Sequence, residues 1–517
     1  MSGGRLARAA GIVLLFGLVS RLLGFARELV LASAYGTSGT TDAFVNSLLI
    51  VNSVAAVLLY TLVTLIIPVF QQERAQSGES SAWRLIAALG FWVGLLLVAV
   101  SALVAIWPEA PAALFNLDPE RERQTADLIR IMAPALALQG VSALFTAMLQ
   151  IHGRFAGPAA VGVAFNLGII VGIAVGQSSI GIEAAGWGVM LGAALQVALQ
   201  LPEFVRLLRR AEVRPAFMHP RLAGVGALAL PVLGASVLQQ INNFTDKLFA
   251  SSLDHGKVAA LNFASALGQA PRVALLLPLL TPLFPHIARL VSEGREEDAV
   301  GAIRRTAGLL ALVAVPIGLL MSIYSDEVTQ LAFKRNQCGN DCVAWTAGPL
   351  LYYALALWPA FLNMLFIRSL SAANRQRAVL WTTLVTVALT IVLDIALLGP
   401  MEQSGLALAA TIAVAFNTVM LLFLMRHHFP RLGIRRLGRR QARVLVAVVP
   451  AVVVAFVLNE VLPTADRGSF EIIAPLLAKV CIALAVYLAA ARLLARDELD
   501  EGLRAVRSLR GRRRGAG

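Results

Sequence analysis

The stretch GLVSRLLGFARELVLAS, residues 17–33, places Arg21, Arg27 and Glu28 inside a segment that is otherwise apolar enough to cross a membrane. A charged side chain at the middle of a bilayer costs roughly 2.5–3.5 kcal/mol on insertion scales, so such charges usually face protein or a water-filled cavity. Three charges in one helix therefore predict a polar pathway or binding site along this helix.

The composition agrees with this interpretation, because 58% of the 517 residues are hydrophobic and only 14% are charged. Apolar runs of about 20 residues are long enough to span a bilayer, and about fourteen of them can be found. We therefore predict an all-α integral membrane protein with about 14 transmembrane helices. They cover Ala10–Tyr35, Asp42–Phe70, Trp83–Trp107, Thr125–Gln150, Phe155–Gly176, Gly181–Phe204, Leu222–Leu253, Val258–Leu290, Ala299–Tyr324, Val343–Leu370, Ala378–Leu398, Gly405–Met425, Val444–Leu462 and Ile472–Leu494.

The distribution of Lys and Arg predicts the orientation, since cytoplasmic loops retain positive charge during insertion. With both termini in the cytoplasm, only about six basic residues fall outside, against about thirty-two inside. The net charge of +14 then reflects topology and attraction to anionic lipids, and we expect no nucleic-acid partner.

Two of the three cysteines, Cys338 and Cys342, lie in a loop that this topology places outside the cytoplasm. A disulfide can form there, although the spacing alone equally allows two free thiols. A metal site is less expected, because no histidine lies nearby. The third, Cys481, reads as a small residue packed in the last helix.

A weak internal repeat, at a spacing of roughly 217 residues, relates the first helix to the seventh and predicts parallel repeats. Two six-helix lobes and two further helices would follow. The predicted domains are residues 1–215, residues 216–430, a helix pair at 431–495 and a basic cytoplasmic tail at 496–517. Both lobes supply intramembrane charge, Asp246, Lys247 and Arg272 coming from the second, which favours a polar cavity between them.

The run SRLLGFARE at residues 20–28, followed by Gly36 and by Asp42-Ala-Phe44, resembles the opening of the bacterial MurJ (MviN) family. That family belongs to the multidrug, oligosaccharidyl-lipid and polysaccharide exporter superfamily. The resemblance implies a lipid II flippase in the bacterial cytoplasmic (inner) membrane, which moves the undecaprenyl-diphosphate-linked peptidoglycan precursor outward by alternating access. It also implies a cationic central cavity, a groove beside the last two helices for the lipid tail, and a role in cell wall biogenesis and cell shape.

Residue by residue, the resemblance assigns the substrate head group to Arg21, Arg27 and Glu28. Alternatives remain, since Arg21 can snorkel and Glu28 can simply neutralise an arginine. Asp42 matches the family's Asp-Ala-Phe position, but it can equally cap the second helix. The basic residues Lys247 and Arg272 complete the predicted substrate site.

A coupling ion is the only cofactor that we expect, and it is either sodium or a proton. The resemblance to family members with a sodium site points to Asp246 and Asp394, with oxygens from Thr390 and Thr411. The alternative is that the two carboxylates are isolated, pair with Lys247 or stay protonated.

The chain also departs from the family pattern. The stretch NSVAAVLLY at residues 52–60 lacks the charges of the family's second helix, and the family's eighth-helix arginine falls at Ala266. Arg272 replaces it only if the helix bends at Pro271. Another polyprenyl-linked glycan, of exopolysaccharide or O-antigen type, is therefore the alternative substrate, and a cation-coupled small-molecule exporter is a weaker one.

No nucleophile–base pair or phosphate-binding loop is visible in the aqueous segments, so we expect a membrane transporter rather than an enzyme. The expected partners are the lipid-linked precursor, membrane lipids and peptidoglycan-synthesis proteins.

Overall fold

The computed structural model describes residues 3–211, 216–272, 283–464 and 471–501, and these ranges contain helices and no β-strand. The first ten helices are α1 (Gly3–Tyr35), α2 (Gly39–Ser77), α3 (Glu79–Ile106), α4 (Glu109–Ala112), α5 (Pro119–Met132), α6 (Pro134–Ile151), α7 (Ala156–Ile180), α8 (Glu183–Arg210), α9 (Leu222–Ala250) and α10 (Lys257–Pro271). The remainder are α11 (Leu283–Ser292), α12 (Glu296–Ile323), α13 (Ser325–Phe333), α14 (Asn340–Leu355), α15 (Leu357–Ala372), α16 (Gln376–His428), α17 (Ile434–Val461) and α18 (Ile473–Leu494).

The prediction of an all-α membrane protein is confirmed. Within the described residues, nine helices are long and apolar enough to cross a membrane, or ten if the bent pair α14 and α15 forms one span. The α1 helix is not among them, and it is the helix that carries Arg21, Arg27 and Glu28. The count of fourteen spans stays a prediction.

Several predicted spans are broken in the structure. The predicted fourth span is divided into α5 and α6 at Pro134, which has no amide hydrogen to continue the helical ladder. The predicted tenth span bends by 46° between α14 and α15. The helix α16 contains both the eleventh and twelfth predicted spans, and Glu402 marks their junction with a left-handed φ of 48°.

The chain divides into two compact units, Met1–Ala259 with Asn336–Cys338 and Ala260–Arg335 with Gly339–Gly517. The predicted boundary at residue 215 therefore differs from the structural one, since α9 belongs to the first unit. The reason is direct packing on neighbouring helices: the Phe115 and Phe244 rings stack at 5.4 Å, and the hydroxyls of Thr61 and Ser236 lie 3.3 Å apart.

Glycines bring α7 and α8 of the first unit into backbone contact. A Cβ atom on Gly168 would lie 2.2 Å from the Gly192 nitrogen, and one on Gly172 would lie 2.5 Å from the Gly188 Cα. Only a residue without a side chain fits at such a distance. The same close approach joins α7 to α1, where a Cβ on Gly162 would meet the Ser20 hydroxyl at 2.2 Å.

In the second unit, α17 and α18 pack against α12 and α13, so the predicted pair at 431–495 is part of this unit. The Tyr487 hydroxyl donates to the Leu312 carbonyl at 2.9 Å. Lys479 is fully buried and donates to the Glu327 carboxylate at 3.0 Å and to the Asn459 side-chain oxygen at 2.9 Å. A network of ionic and polar contacts thus holds the last helix in place.

Candidate functional site

The charges of α1 form a compact group in the first unit. Arg27 makes an ion pair with Glu28, and the side chains of the two are only 17% and 5% exposed. The Arg27 Nη1 group also donates to the Asn166 side-chain oxygen of α7 at 3.3 Å. Burial strengthens these interactions because less water screens them. The arginine is therefore held in one orientation from two sides.

Asn166 is the residue that sequence reasoning did not assign to the site. Its side-chain nitrogen donates to the carbonyls of Ser20 at 3.2 Å and Gly162 at 2.9 Å, which turns its oxygen toward Arg27. A Cβ on Gly24 would lie 3.7 Å from that oxygen. A lone asparagine in an apolar helix was the available signal, but it does not reveal which helix the side chain faces.

Arg21 lies six residues before Arg27, or about 9 Å along the helix axis. Its side chain is exposed, and no described residue forms a hydrogen bond or ion pair with it. Arg21 and Glu28 share a helix face as their spacing predicts, yet Glu28 is buried. Of the three predicted residues, the structure brings Arg27 and Glu28 together and leaves Arg21 apart.

The Asp42 carboxylate contacts backbone amides at the start of α10, which neither of its two predicted roles, substrate binding or capping of α2, includes. Its two oxygens accept hydrogen bonds from the amides of Gly256 at 2.6 Å and Ala259 at 2.7 Å. The expectation that it caps α2 is wrong, since Ser38 is the N-cap there and accepts from the Thr41 amide. Asp42 is 1% exposed, and its carboxylate satisfies amides at the first turn of α10. Its substrate contact stays a prediction.

Lys247 lies in α9 and is partly exposed, whereas the side chain of Asp246 lies outside the described part of the chain. A cavity of about 450 Å³ separates α2 from α9. Its lining is mostly apolar and consists of Ser53, Val54, Val57, Leu58, Val237, Gln240, Phe244, Thr245 and Leu248. The missing charges of residues 52–60 thus correspond to an apolar wall.

Arg272 follows the end of α10 at Pro271 and is exposed in the second unit. It lines a cavity of about 110 Å³ together with Gln269, Tyr353 and Thr411. The structure thus brings together two predicted residues, Arg272 and Thr411, from different predicted sites. Residues 273–282, including Pro278 and Pro282, lie outside the described chain, so the predicted bend after Pro271 is untested.

The other proposed cation ligands lie on α16. Asp394 is fully buried, and the Thr390 hydroxyl, one turn earlier, donates to the Thr386 carbonyl at 3.0 Å. Thr411 donates to the Tyr352 carbonyl at 2.9 Å. These hydroxyls keep their lone pairs for a cation, and the Thr390–Asp394 pair suits one. Thr411 does not suit a cation, because the positively charged Arg272 guanidinium lines the same cavity and repels cations.

Among the described residues, no group of three or more His, Cys, Asp or Glu side chains is arranged to hold a metal ion. The sodium site therefore stays a prediction. Cys338 and Cys342 are disulfide-bonded in the structure. Cys481 is free and exposed, so the expectation that it is packed in the last helix is wrong.

Proteins with similar sequences belong to one family. A family model described as "Lipid II flippase MurJ" matches residues 31–489. A probable lipid II flippase MurJ of Rhizobium meliloti (strain 1021) is 26% identical over 497 residues, covering 91% of each chain.

Two solved structures share the fold. One is titled "Lipid II flippase MurJ, inward closed conformation" and has a TM-score of 0.78 at 20% identity, covering 94% of this chain and 99% of that one. The other is an inward-facing multidrug resistance MATE transporter of the MOP superfamily, with a TM-score of 0.65 at 12% identity, covering 80% of this chain and 95% of the other.

Proposed function

This chain belongs to the MurJ family of lipid II flippases, and we propose that it moves lipid II from the inner to the outer leaflet of the bacterial cytoplasmic membrane. It is a multi-pass membrane transporter whose cargo is the peptidoglycan precursor, and it acts in cell wall biogenesis rather than as an enzyme. Its partners are the lipid-linked precursor, membrane lipids and, at the basic loops, peptidoglycan-synthesis proteins.

One observation supports Arg27 as the diphosphate ligand. Its Nε atom is buried and has no hydrogen-bond partner among the described residues, although Glu28 and Asn166 hold the other nitrogens. A buried donor without a partner costs about 1–3 kcal/mol, and a phosphate oxygen would relieve that cost. Guanidinium groups and phosphates also form charge-assisted hydrogen bonds.

The transport cycle follows from this assignment. The head group binds at Arg27 and Glu28 with the site open to the cytoplasm, and Arg21, Lys247 and Arg272 supply further positive charge. Two six-helix lobes then rock so that access alternates, while the lipid tail stays in the bilayer along α17 and α18. Both termini face the cytoplasm.

The driving force in this proposal is a coupling ion, sodium at Asp246, Thr390 and Asp394 or a proton on a buried carboxylate. The membrane potential can also contribute, since it is worth about 2.3 kcal/mol per charge for each 100 mV.

A second candidate function is flipping of another polyprenyl-linked glycan. The apolar cavity between α2 and α9 favours it, because a charged head group meets fewer fixed cations there. The family's eighth-helix arginine falls at Ala266, and the loss of this positive charge also favours another glycan as the substrate.

Complementation tests both candidates. We would deplete the resident lipid II flippase of a test bacterium and express the wild type, Arg27→Ala or Arg74→Ala. Arg74 is the matched control, since it lies in the same unit, is 47% exposed and pairs with exposed Glu79.

We expect rescue by the wild type and by Arg74→Ala, and loss of rescue with Arg27→Ala at equal membrane levels. If the wild type reaches the membrane but does not rescue growth, the other glycan becomes the leading substrate. Full rescue by Arg27→Ala would instead remove Arg27 from the site.

A further inference from the structure

The first two turns of α17 carry four arginines, Arg435, Arg436, Arg439 and Arg440. The N-terminus of a helix has a partial positive charge and favours anions, so cations are poorly placed there. The residue before this helix is Gly433, and no side chain caps the helix start. This helix end therefore concentrates positive charge and free amide donors without an anion of its own.

Arg304 of α12 joins this group, because Arg436 and Arg440 lie close enough for their charges to act on it. The two helices are fixed to each other near this point. The Gln441 side chain donates to the Ala307 carbonyl at 3.1 Å and accepts from the Trp358 indole at 3.0 Å. The packing of α17 on α12 therefore keeps Arg436 and Arg440 close to Arg304.

The nearby carboxylates are already engaged with other arginines. Glu501 pairs with Arg440 at 3.0 Å, Asp497 pairs with Arg443 at 3.1 Å, and Glu297 pairs with Arg431 at 3.3 Å. Glu498 also faces Arg440, at 3.6 Å.

No described residue forms a hydrogen bond or ion pair with Arg304 or Arg436. Residues 502–517 lie beyond the described chain and contain no Asp or Glu. This end of the second unit therefore has a surplus of positive charge that the neighbouring sequence does not neutralise.

The position of the group on α17 indicates which anion reaches it. Beyond the arginines, the same helix exposes Val446, Val453 and Val457, which lie within about 100° of Arg436 around the helix axis. In a membrane protein these apolar side chains contact the hydrocarbon, so the arginines lie where the hydrocarbon gives way to lipid head groups. A lipid can engage both parts of the helix at once.

We propose that Arg304 and Arg436, with the free amides at the start of α17, bind the phosphate of an anionic phospholipid. With the termini in the cytoplasm, this lipid belongs to the inner leaflet. The planar guanidinium groups match phosphate oxygens in pairs, and the acyl chains lie along the exposed valines. Its residues are not those assigned to the transported head group, and the site holds a resident lipid.

The test is a titration of the purified full-length protein in a neutral detergent with dioctanoyl phosphatidylglycerol, followed by the thermal unfolding midpoint. Ligands that bind the folded state raise this midpoint. The variant Arg304→Gln/Arg436→Gln removes the site. The control Arg289→Gln/Arg295→Gln removes the same charge at exposed arginines that already pair with Glu293 and Asp298.

We expect the half-saturating lipid concentration to rise about 30-fold in the Arg304/Arg436 variant and less than twofold in the control. The single variant Arg436→Gln, at an exposed position, serves if the double variant does not fold, with an expected rise of about fivefold. Equal losses in the double variant and the control would overturn the proposal in favour of bulk charge. An equal midpoint shift with inorganic phosphate would overturn the lipid assignment.

Discussion

Arg27 and Glu28 are neighbours in sequence, yet their ion pair does not satisfy every donor of the Arg27 guanidinium. The carboxylate holds one nitrogen, Asn166 holds another, and Nε is left buried without a described partner. In the proposed function, this fixed and incompletely satisfied guanidinium receives the phosphate, since its orientation is set before the ligand arrives. In that proposal Asn166 is a positioning residue, because it acts through Arg27.

We predict that Asn166→Leu lowers flippase activity toward that of Arg27→Ala, because the arginine loses its contact with α7. The measurement is complementation with quantified membrane levels. Asn166→Gln, which keeps an amide, should retain part of the activity. Wild-type rescue by Asn166→Leu would show that the orientation of Arg27 does not depend on this residue.

At the residue scale, the sequence alone predicted Arg27 and Glu28 as site residues, because charge inside an apolar run stands out, and the structure pairs the two side chains. It did not identify the partners of Asp42, since amides at Gly256 and Ala259 are backbone groups with no side-chain signature. The placement of Arg272 beside Thr411 was equally hidden, because the two residues are far apart in sequence.

The α7 and α8 helices show how an element can be fixed by the absence of side chains. Lipid supplies little hydrophobic drive for helix association, so close backbone contact contributes more of the stability than it does in water. The glycines at 168, 172, 188 and 192 permit that contact. Because α7 carries Asn166, the glycine packing of α7 on α8 also fixes the position of the side-chain oxygen that accepts the hydrogen bond from Arg27.

We therefore predict that Gly188→Val destabilises the protein by more than about 2 kcal/mol, because its side chain would overlap the Ile169 backbone, with a Cβ only 2.8 Å from the Ile169 Cα. Gly94→Val is the control, since no atom lies within 4 Å of a Cβ there. Thermal unfolding of both variants in detergent gives the comparison. A Gly188→Val midpoint equal to that of the control would contradict the packing.

Element positions were largely predictable, because apolar runs report membrane spans directly. The predicted seventh span begins at Leu222, as α9 does, and the last ends at Leu494, as α18 does. The bend between α14 and α15 was not predicted, although Pro359 in the first turn of α15 has no amide hydrogen to donate to the Leu355 carbonyl at the end of α14. The short helices α4 and α13 were also missed, because they lie in loops with no spanning signal.

At the scale of the whole chain, the basic residues and the family membership bear on different properties. Membership establishes the fold and the class of transporter. The distribution of arginine predicts the orientation, which remains a proposal. The first compact unit includes α9, which the repeat had assigned to the second predicted lobe. A repeat in the sequence does not determine which neighbouring helices α9 packs against.

We predict that a reporter enzyme active only outside the cytoplasm is inactive when fused after Gly517 and active when inserted after Arg467, which lies between α17 and α18 in the sequence. If the termini lay outside the cytoplasm, the reporter would instead be active after Gly517 and inactive after Arg467. Arg467 suits the insertion because residues 463–472 contain no other basic residue. A fluorescent protein that folds only in the cytoplasm should give the opposite result at both positions.

The buried pair of Lys479 and Glu327 imposes a sequence of events on biogenesis. An unpaired lysine within α18 would enter the bilayer at a cost of roughly 2.5–3.5 kcal/mol, whereas Glu327 is synthesised about 150 residues earlier. The last helix therefore settles most readily after α13 has docked and can receive its charge. A mutation that prevents α13 from docking would then show its first effect at α18, which would fail to remain inserted in the membrane.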